Sequence, residues 1–180
     1  EVKLDTFGRY LSVLERHVAV GRLVDVGCAM GYLLEAARRR GWEPWGVEVS
    51  RFAGGQARQS FGAQRIHIGT LEDSNLPRGG FSAVCMTDVL EHLPDPVALL
   101  RLARDLLRPD GCVLIATPQV GCISQRMMGS GWYQVKEEHT TLFTPVALRT
   151  ALHAAGFDIV HSSPARKTLT LSYVAHHFRI

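Results

Sequence analysis

The sequence is poor in cysteine, aromatic residues, net charge and long apolar runs, and each shortage narrows what the chain can be. Its four cysteines, Cys28, Cys85, Cys112 and Cys122, never approach a C-x-x-C pair, which excludes the redox and thiolate motifs built on one. Cys85 and Cys112 sit in apolar, strand-like runs suited to buried free thiols. A reducing, cytoplasmic setting is expected. No apolar stretch approaches the roughly 18 residues of a membrane span, so no membrane insertion is expected. The opening "EVKLDTFGRY" has no signal-peptide core, and it begins without Met, as an excised fragment would. Net charge is only +3. The sole basic run, Arg38 to Arg40, closes a predicted helix, where cations favour the negative end of the dipole; it reads as a helix end and not as a nucleic-acid patch. What remains is a chain of 180 residues, 46% of them hydrophobic, enough for one domain over 1–180 and too short for two comfortable ones.

Alternation is what the sequence does have. The β-rich runs "RLVDVG" (22–27), "PWGVEV" (44–49), "QRIHIG" (64–69), "FSAVCMT" (81–87) and "CVLIATP" (112–118) recur between helical patterns, and such alternation means a parallel sheet. These runs are nearly continuous in apolar residues, as strands buried on both sides are, so helices are expected on both faces. One helix is marked at each end. Asp95 and Pro96 supply its N-cap and first residue, Leu99, Leu100, Ala103, Leu106 and Leu107 a stripe, and "RPDG" a stop. After Pro118 the pattern breaks, and residues 119–144 read as a substrate lid, because long irregular stretches inside compact domains are usually functional or mobile. "PVALRTALHAAGF" resumes as a helix opened by Pro145. "FDIV" (157–160) and "TLTLSYVAHHF" (168–178) read as two final strands, the last an antiparallel edge. The expectation is an α/β fold: a doubly wound, mostly parallel, seven-stranded sheet with an antiparallel edge strand.

In such sheets ligands bind beyond the carboxyl ends of the strands, where a first strand turns sharply into a helix. "VDVGCAMGYLLEA" is such a turn. Gly27 permits backbone angles closed to other residues, and Gly31 allows close approach. A dinucleotide fingerprint started at Gly27 would need glycine at 29 and 32, where Ala29 and Tyr32 stand, and a P-loop would need a lysine that is absent. Glu48 ends the second strand about 20 residues after Gly27, the spacing at which a carboxylate reaches a ribose hydroxyl. Tight-turn glycines and a solvated strand end would explain each feature singly. In register, they point to a nucleoside site.

Asp25, Gly27, Ala29 and Gly31 resemble the D-x-G-x-G-x-G turn of class I S-adenosylmethionine-dependent methyltransferases, with Ala29 in place of the middle glycine. "GVEVS" is similar to that family's second-strand acidic motif, "GTLEDSNLP" to its adenine-flanking stretch, and "FSAVCMTDVLEHLPDP" and "LLRPDGCVLIATP" to its fourth- and fifth-strand motifs. "EEHTTLFTPVALRTALHAAGFDIV" resembles a downstream segment of a small-molecule branch. The matches run in order over about 22–160, a consistency across levels that chance rarely produces. The resemblance implies a Rossmann-like fold and S-adenosyl-L-methionine as cofactor. It implies that Asp25, Gly27, Cys28, Ala29 and Gly31 line the methionine end, Glu48 and Val49 the ribose, Thr70 and Leu71 the adenine, and Thr87 and Asp88 the opposite side.

Methyl transfer is an in-line displacement in which the cofactor brings the activated carbon and the protein brings alignment. Two candidate bases would face the acceptor, His139 in "KEEHTTLF" and His92 after the fourth strand; a surface histidine capping the next helix is an equal reading of His139. Asp88, Glu91 and His92, at i, i+3 and i+4, would share one face of a helical turn and could hold a divalent metal. Against that, Glu91 and His92 could close a turn before Pro94, or His92 could act as the base, and no metal is assigned. Met127, Trp132 and Tyr133 could wall the acceptor site. The reading is methyl transfer to an O, N or C atom of a small molecule, with no nucleic-acid partner. Two alternatives stay open: a cofactor-binding domain of a larger protein without activity of its own, and a nicotinamide oxidoreductase, which conflicts with Ala29 and Tyr32.

Overall fold

The computed structural model describes residues 2–121, 125 and 139–164. Its elements are α1 (Val2–Leu14), β1 (Arg22–Val26), α2 (Tyr32–Arg39), β2 (Glu43–Glu48), α3 (Arg51–Phe61), β3 (Ile66–Ile68), β4 (Phe81–Thr87), α4 (Pro96–Leu106), β5 (Leu107–Ala116) and α5 (Pro145–Ala154). The five strands form one sheet in the order β3-β2-β1-β4-β5, and every neighbouring pair is parallel. Chain order reverses between β1 and β4. That reversal opens a crevice at the carboxyl ends of the two strands, where ligands of such sheets bind.

Period-two alternation along the central strands sends side chains into two cores. Val24, Val26, Val84 and Met86 pack with Leu99, Leu100, Ala103 and Leu106 of α4 and with Ala151 and Leu152 of α5. On the other face Leu23, Ala83 and Cys85 pack with Leu11 and Leu14 of α1 and Leu33, Ala36 and Ala37 of α2. Helices therefore cover both faces, as the continuous apolar runs require. α4 is capped as expected: Asp95 accepts from the Ala98 N–H at 3.0 Å and Pro96 opens the first turn. The basic run ends α2, where Arg38 and Arg39 pair with Glu35 and Arg40 Nε donates to Glu15 at 2.8 Å.

Three expectations need correction. The described sheet has five strands, all parallel, and not seven with an antiparallel edge. Residues 157–160 form no strand; Phe157 and Ile159 lean on the α4 and α5 core while Val160 is exposed, and among the described residues no neighbouring strand supplies a ladder. The stretch 168–178 lies outside the described residues. Leu107 belongs to β5, not to the α4 stripe, because β5 begins early and absorbs "RPDG" as an irregularity in register against β4.

Candidate active site

The turn from β1 into α2 is built from left-handed backbone. Gly27 has φ 77°, Ala29 φ 47° and Gly31 φ 86°, and for the alanine this conformation costs on the order of 1–2 kcal/mol. Hydrogen bonds hold it there. The Gly27 and Cys28 N–H groups both donate to the Val47 carbonyl, at 2.8 and 3.1 Å, and the Ala29 N–H donates to Glu48 Oε2 at 2.8 Å. Glycine is also needed for space. A Cβ on Gly27 would lie 2.7 Å from Val89 Cγ2, so this turn and the exit of β4 press against each other across the crevice.

Glu48 is thus more than a strand end: it is buried, and its second oxygen accepts from the Ser50 N–H at 2.8 Å. A carboxylate offers about four lone-pair sites, so two directions remain for paired hydroxyls. Asp25, beside it, is buried, and its Oδ1 has no hydrogen-bond partner among the described residues. Burial first, and the Glu48 charge second, push the Asp25 carboxyl well above the ordinary carboxylate range. Burial likewise raises the Cys28 thiol, with the charges of Asp25 and Glu48 adding to it. The Cys28 sulfur points inward, and a Cβ on Gly46 would meet it at 2.6 Å. Only its backbone can line the turn.

Thr70 follows β3 and folds back on itself, its hydroxyl donating to Asp73 at 2.9 Å. Leu71 is buried in the α4 core, which leaves its backbone to face the site. Val49 and Phe52, each 70% exposed, follow Glu48 in the chain; Phe52 was not among the predicted residues. Asp88, at the end of β4, has φ 55° and its N–H donates to the Ala116 carbonyl at 2.8 Å. With two such carboxylate-gripped or carbonyl-gripped left-handed residues, two free directions on Glu48 and an unmatched Asp25 oxygen, the residues fit an adenosine-bearing, cationic cofactor.

A second group of residues lies beyond Asp88. Leu90–His92 is a single 3-10 turn, so the α-helical face that would have joined Asp88 to Glu91 and His92 does not exist. Instead Glu91 and His92 meet His139, and one potential ligand atom from each lies within 4.8 Å of the others. The two imidazole centroids are 4.9 Å apart, edge to face. Glu91 is fully buried; Thr117, just past β5, donates to its Oε2 at 2.9 Å, and its Oε1 has no hydrogen-bond partner among the described residues. The Glu91 carbonyl accepts from the Thr141 N–H at 3.0 Å and from the Thr140 hydroxyl at 3.3 Å. His139 does not cap α5; Thr144 does, accepting from the Ala147 N–H. The expected lid has both ends tied together, Val120 N–H donating to the Phe143 carbonyl at 2.9 Å. Met127, Trp132 and Tyr133 lie outside the described residues.

A model for a methyltransferase-domain family matches residues 4–162. The chain is 34% identical over 123 residues to the ubiquinone biosynthesis O-methyltransferase of Alkalilimnicola ehrlichii, covering 64% of this chain and 47% of that protein. To the enzyme of the same name from Aeromonas salmonicida it is 30% identical over 160 residues, 79% of this chain and 67% of that one. It therefore spans about half to two thirds of the length of these relatives. Its fold is that of a SAM-dependent methyltransferase of Thermotoga maritima described as a possible histamine N-methyltransferase, with TM-score 0.70 and 20% identity over 87% of this chain and 72% of the other. An S-adenosylmethionine-dependent methyltransferase of Mesorhizobium loti aligns with TM-score 0.66 and 20% identity over 88% and 84%. With the family model running from α1 through α5, the chain belongs to the methyltransferase-domain family, and it has the fold of S-adenosylmethionine-dependent methyltransferases.

Proposed function

We propose that the chain moves the methyl group of S-adenosylmethionine to a small-molecule acceptor, an oxygen nucleophile in the first instance, that enters beside His92 and His139. The observation that carries this reading is the division of the crevice. On one side stand Glu48 and the β1–α2 turn, with Ala29 held at 2.8 Å; on the other, the Glu91–His92–His139 group. When bound, the cofactor supplies a methyl carbon already activated by a sulfonium. The chain's own residues do the rest. Glu48 holds the turn and, beside Val49, meets the ribose hydroxyls, the Thr70–Leu71 backbone takes the adenine, and Thr87 and Asp88 close the β4 side. The imidazole pair receives the acceptor and carries its deprotonation. His139 comes first in that role, because it is brought over the β4 exit by its own segment's bonds to Glu91. Holding acceptor and methyl carbon near contact is worth on the order of 7–11 kcal/mol in effective molarity.

An oxygen acceptor is favoured by the relatives, both named as ubiquinone biosynthesis O-methyltransferases. Incubation with methyl-labelled S-adenosylmethionine and a panel of catechols, phenols, amines and sugars should label a phenolic oxygen. Label on nitrogen alone, or no transfer to any acceptor despite cofactor binding, would contradict the proposal. His139→Ala should lower turnover by roughly 10²- to 10⁴-fold and leave S-adenosylhomocysteine affinity unchanged. Full turnover in that variant together with loss in His92→Ala would move the role to His92.

A further inference from the structure

We propose that Asp25 stands as the neutral acid in the ligand-free chain and gives up its proton when the ammonium group at the amino-acid end of the cofactor seats beside it, so that cofactor binding and proton release are one event. The proposal rests on the cofactor reading above and adds to it a step that belongs to this chain's own carboxyl. Asp25 is buried, and its Oδ1 meets no hydrogen-bond donor among the described residues. An anion in that state is costly to keep from water, and a carboxyl so placed holds its proton until a cation arrives.

Its surroundings favour the neutral form. Alternation along β1 puts Asp25 on the face of Leu23, two residues before it, and α1 and α2 bring Leu11, Leu14, Leu33, Ala36 and Ala37 to that face, none of them charged. Opposite Asp25 on β4 is Cys85, a buried thiol. Opposite it on β2 is Gly46, over which the Cys28 sulfur lies. What acts on it by charge is an anion, Glu48. Glu48 accepts two N–H bonds and Asp25 Oδ1 accepts none, so of the two carboxyls Glu48 is the one equipped to be ionised. Burial raises the Cys28 and Cys85 thiols, with the charge of Asp25 second in each case, and neither thiol supplies the missing counter-charge.

A primary ammonium is what this corner lacks. The left-handed turn starts two residues past Asp25, at Gly27, and the amino-acid end of an S-adenosyl ligand carries the one cation that S-adenosylmethionine and S-adenosylhomocysteine share. With that cation at Oδ1 the carboxylate is no longer an unpaired buried charge. The Asp25 O–H bond breaks, the proton leaves to solvent, and the carboxylate stays paired with the ammonium. Affinity must then rise with pH for as long as the free chain still holds the proton, by at most about 10-fold per pH unit for one proton. It levels off once Asp25 is ionised in the free chain as well. The sulfonium has no part in this, so both forms of the cofactor release the same proton.

The test is calorimetry of S-adenosylhomocysteine binding in buffers of different ionisation enthalpy, which counts the protons released, repeated from about pH 5.5 to about pH 8.5. The parent chain should release about one proton at the maximum and gain affinity with pH by up to about 10-fold per unit. 5′-Methylthioadenosine, which has the nucleoside and no ammonium, should release none. Asp25→Asn should bind S-adenosylhomocysteine without proton release and with an affinity that does not change with pH, close to the parent's at the acidic end and weaker at the alkaline end. Its melting transition reports an intact fold. Difference infrared spectroscopy should show a protonated-carboxyl C=O band in the free parent that vanishes on binding and is missing from Asp25→Asn. Binding to the parent without proton release, the same release with 5′-methylthioadenosine, or the same release from Asp25→Asn would each overturn the proposal and leave the cofactor reading standing. A parent chain that binds no S-adenosylhomocysteine at any pH would sink the cofactor reading, and this proposal with it.

Discussion

Asp25 pays for its place in the cofactor turn with a proton. Its carboxyl is raised well above the ordinary range by burial and then by Glu48, so its contribution to stability is full below the unfolded value of about 3.9 and is lost as pH rises through the folded value. Asp25→Asn should therefore melt higher than the parent at neutral pH, with the gap narrowing toward pH 4; a parent that melts higher at pH 7 would mean the carboxylate has an ionic partner. Glu48 acts through its hydrogen bonds. It accepts two N–H bonds from the turn it faces, each charge-assisted bond worth about 1.5–3 kcal/mol. Glu48→Ala should weaken S-adenosylhomocysteine by at least roughly 10-fold, the loss of one such bond, and calorimetry showing no change would reduce Glu48 to a strut. Glu48 was picked out in the sequence by its spacing from Gly27, and Asp25 by the resemblance of the turn that it opens. The left-handed backbone of Ala29 was not, because alanine does not announce it; the conformation is imposed by the Glu48 bond to its N–H. The same holds for Asp88, gripped through its own N–H by the Ala116 carbonyl.

Elements were legible where one segment carries its own start, stripe and stop. α4 shows all three in sequence, and its cap is local: Asp95→Ala should cost about 1 kcal/mol, read by denaturant titration, with cofactor affinity unchanged because the cap's hydrogen bond, from the Ala98 N–H, lies within α4 itself. A fall in affinity as large as that of Glu48→Ala would show instead that α4 positions the site. Elements that depend on a partner were read less well. α1 carries Leu4, Phe7, Leu11 and Leu14 at helical spacing, yet the strand–helix alternation gives no cue to it. The "DVLEH" stretch has i, i+3, i+4 spacing, which is a helical signal only if the backbone is α-helical; Asp88 at φ 55° and a 3-10 turn break that premise. What replaces it, His139, lies far along the chain. No local pattern could link it to Glu91, since the bonds that do so run from Thr140 and Thr141 to a backbone carbonyl. "FDIV" has strand composition, but a strand also needs a neighbour with free ladder groups, and sequence does not show whether one is there.

At the scale of the molecule, two cores share one sheet, and the cofactor turn leaves that sheet between them. Val24 and Val26 belong to the α4 and α5 core and Leu23 to the α1 and α2 core, so neither face can loosen without disturbing β1. One cooperative transition is expected for the described fold, as small single domains usually give. Since the proposed cofactor site draws on the carboxyl ends of β1, β2 and β4, it would exist only when the sheet does, and binding would then stabilise the whole. At a ligand concentration 100 times Kd the gain is about 2.7 kcal/mol. For a chain of this size each kcal/mol moves Tm by about 2–4 °C, which gives a rise of roughly 5–11 °C. S-adenosylhomocysteine should produce it as a shift of one transition by calorimetric scan, and NAD should produce far less, because Ala29 and Tyr32 stand where a pyrophosphate fingerprint needs glycine. A larger shift with NAD would contradict the cofactor. Two transitions, only one of them moved by the ligand, would show that the α1 and α2 core folds apart from the crevice.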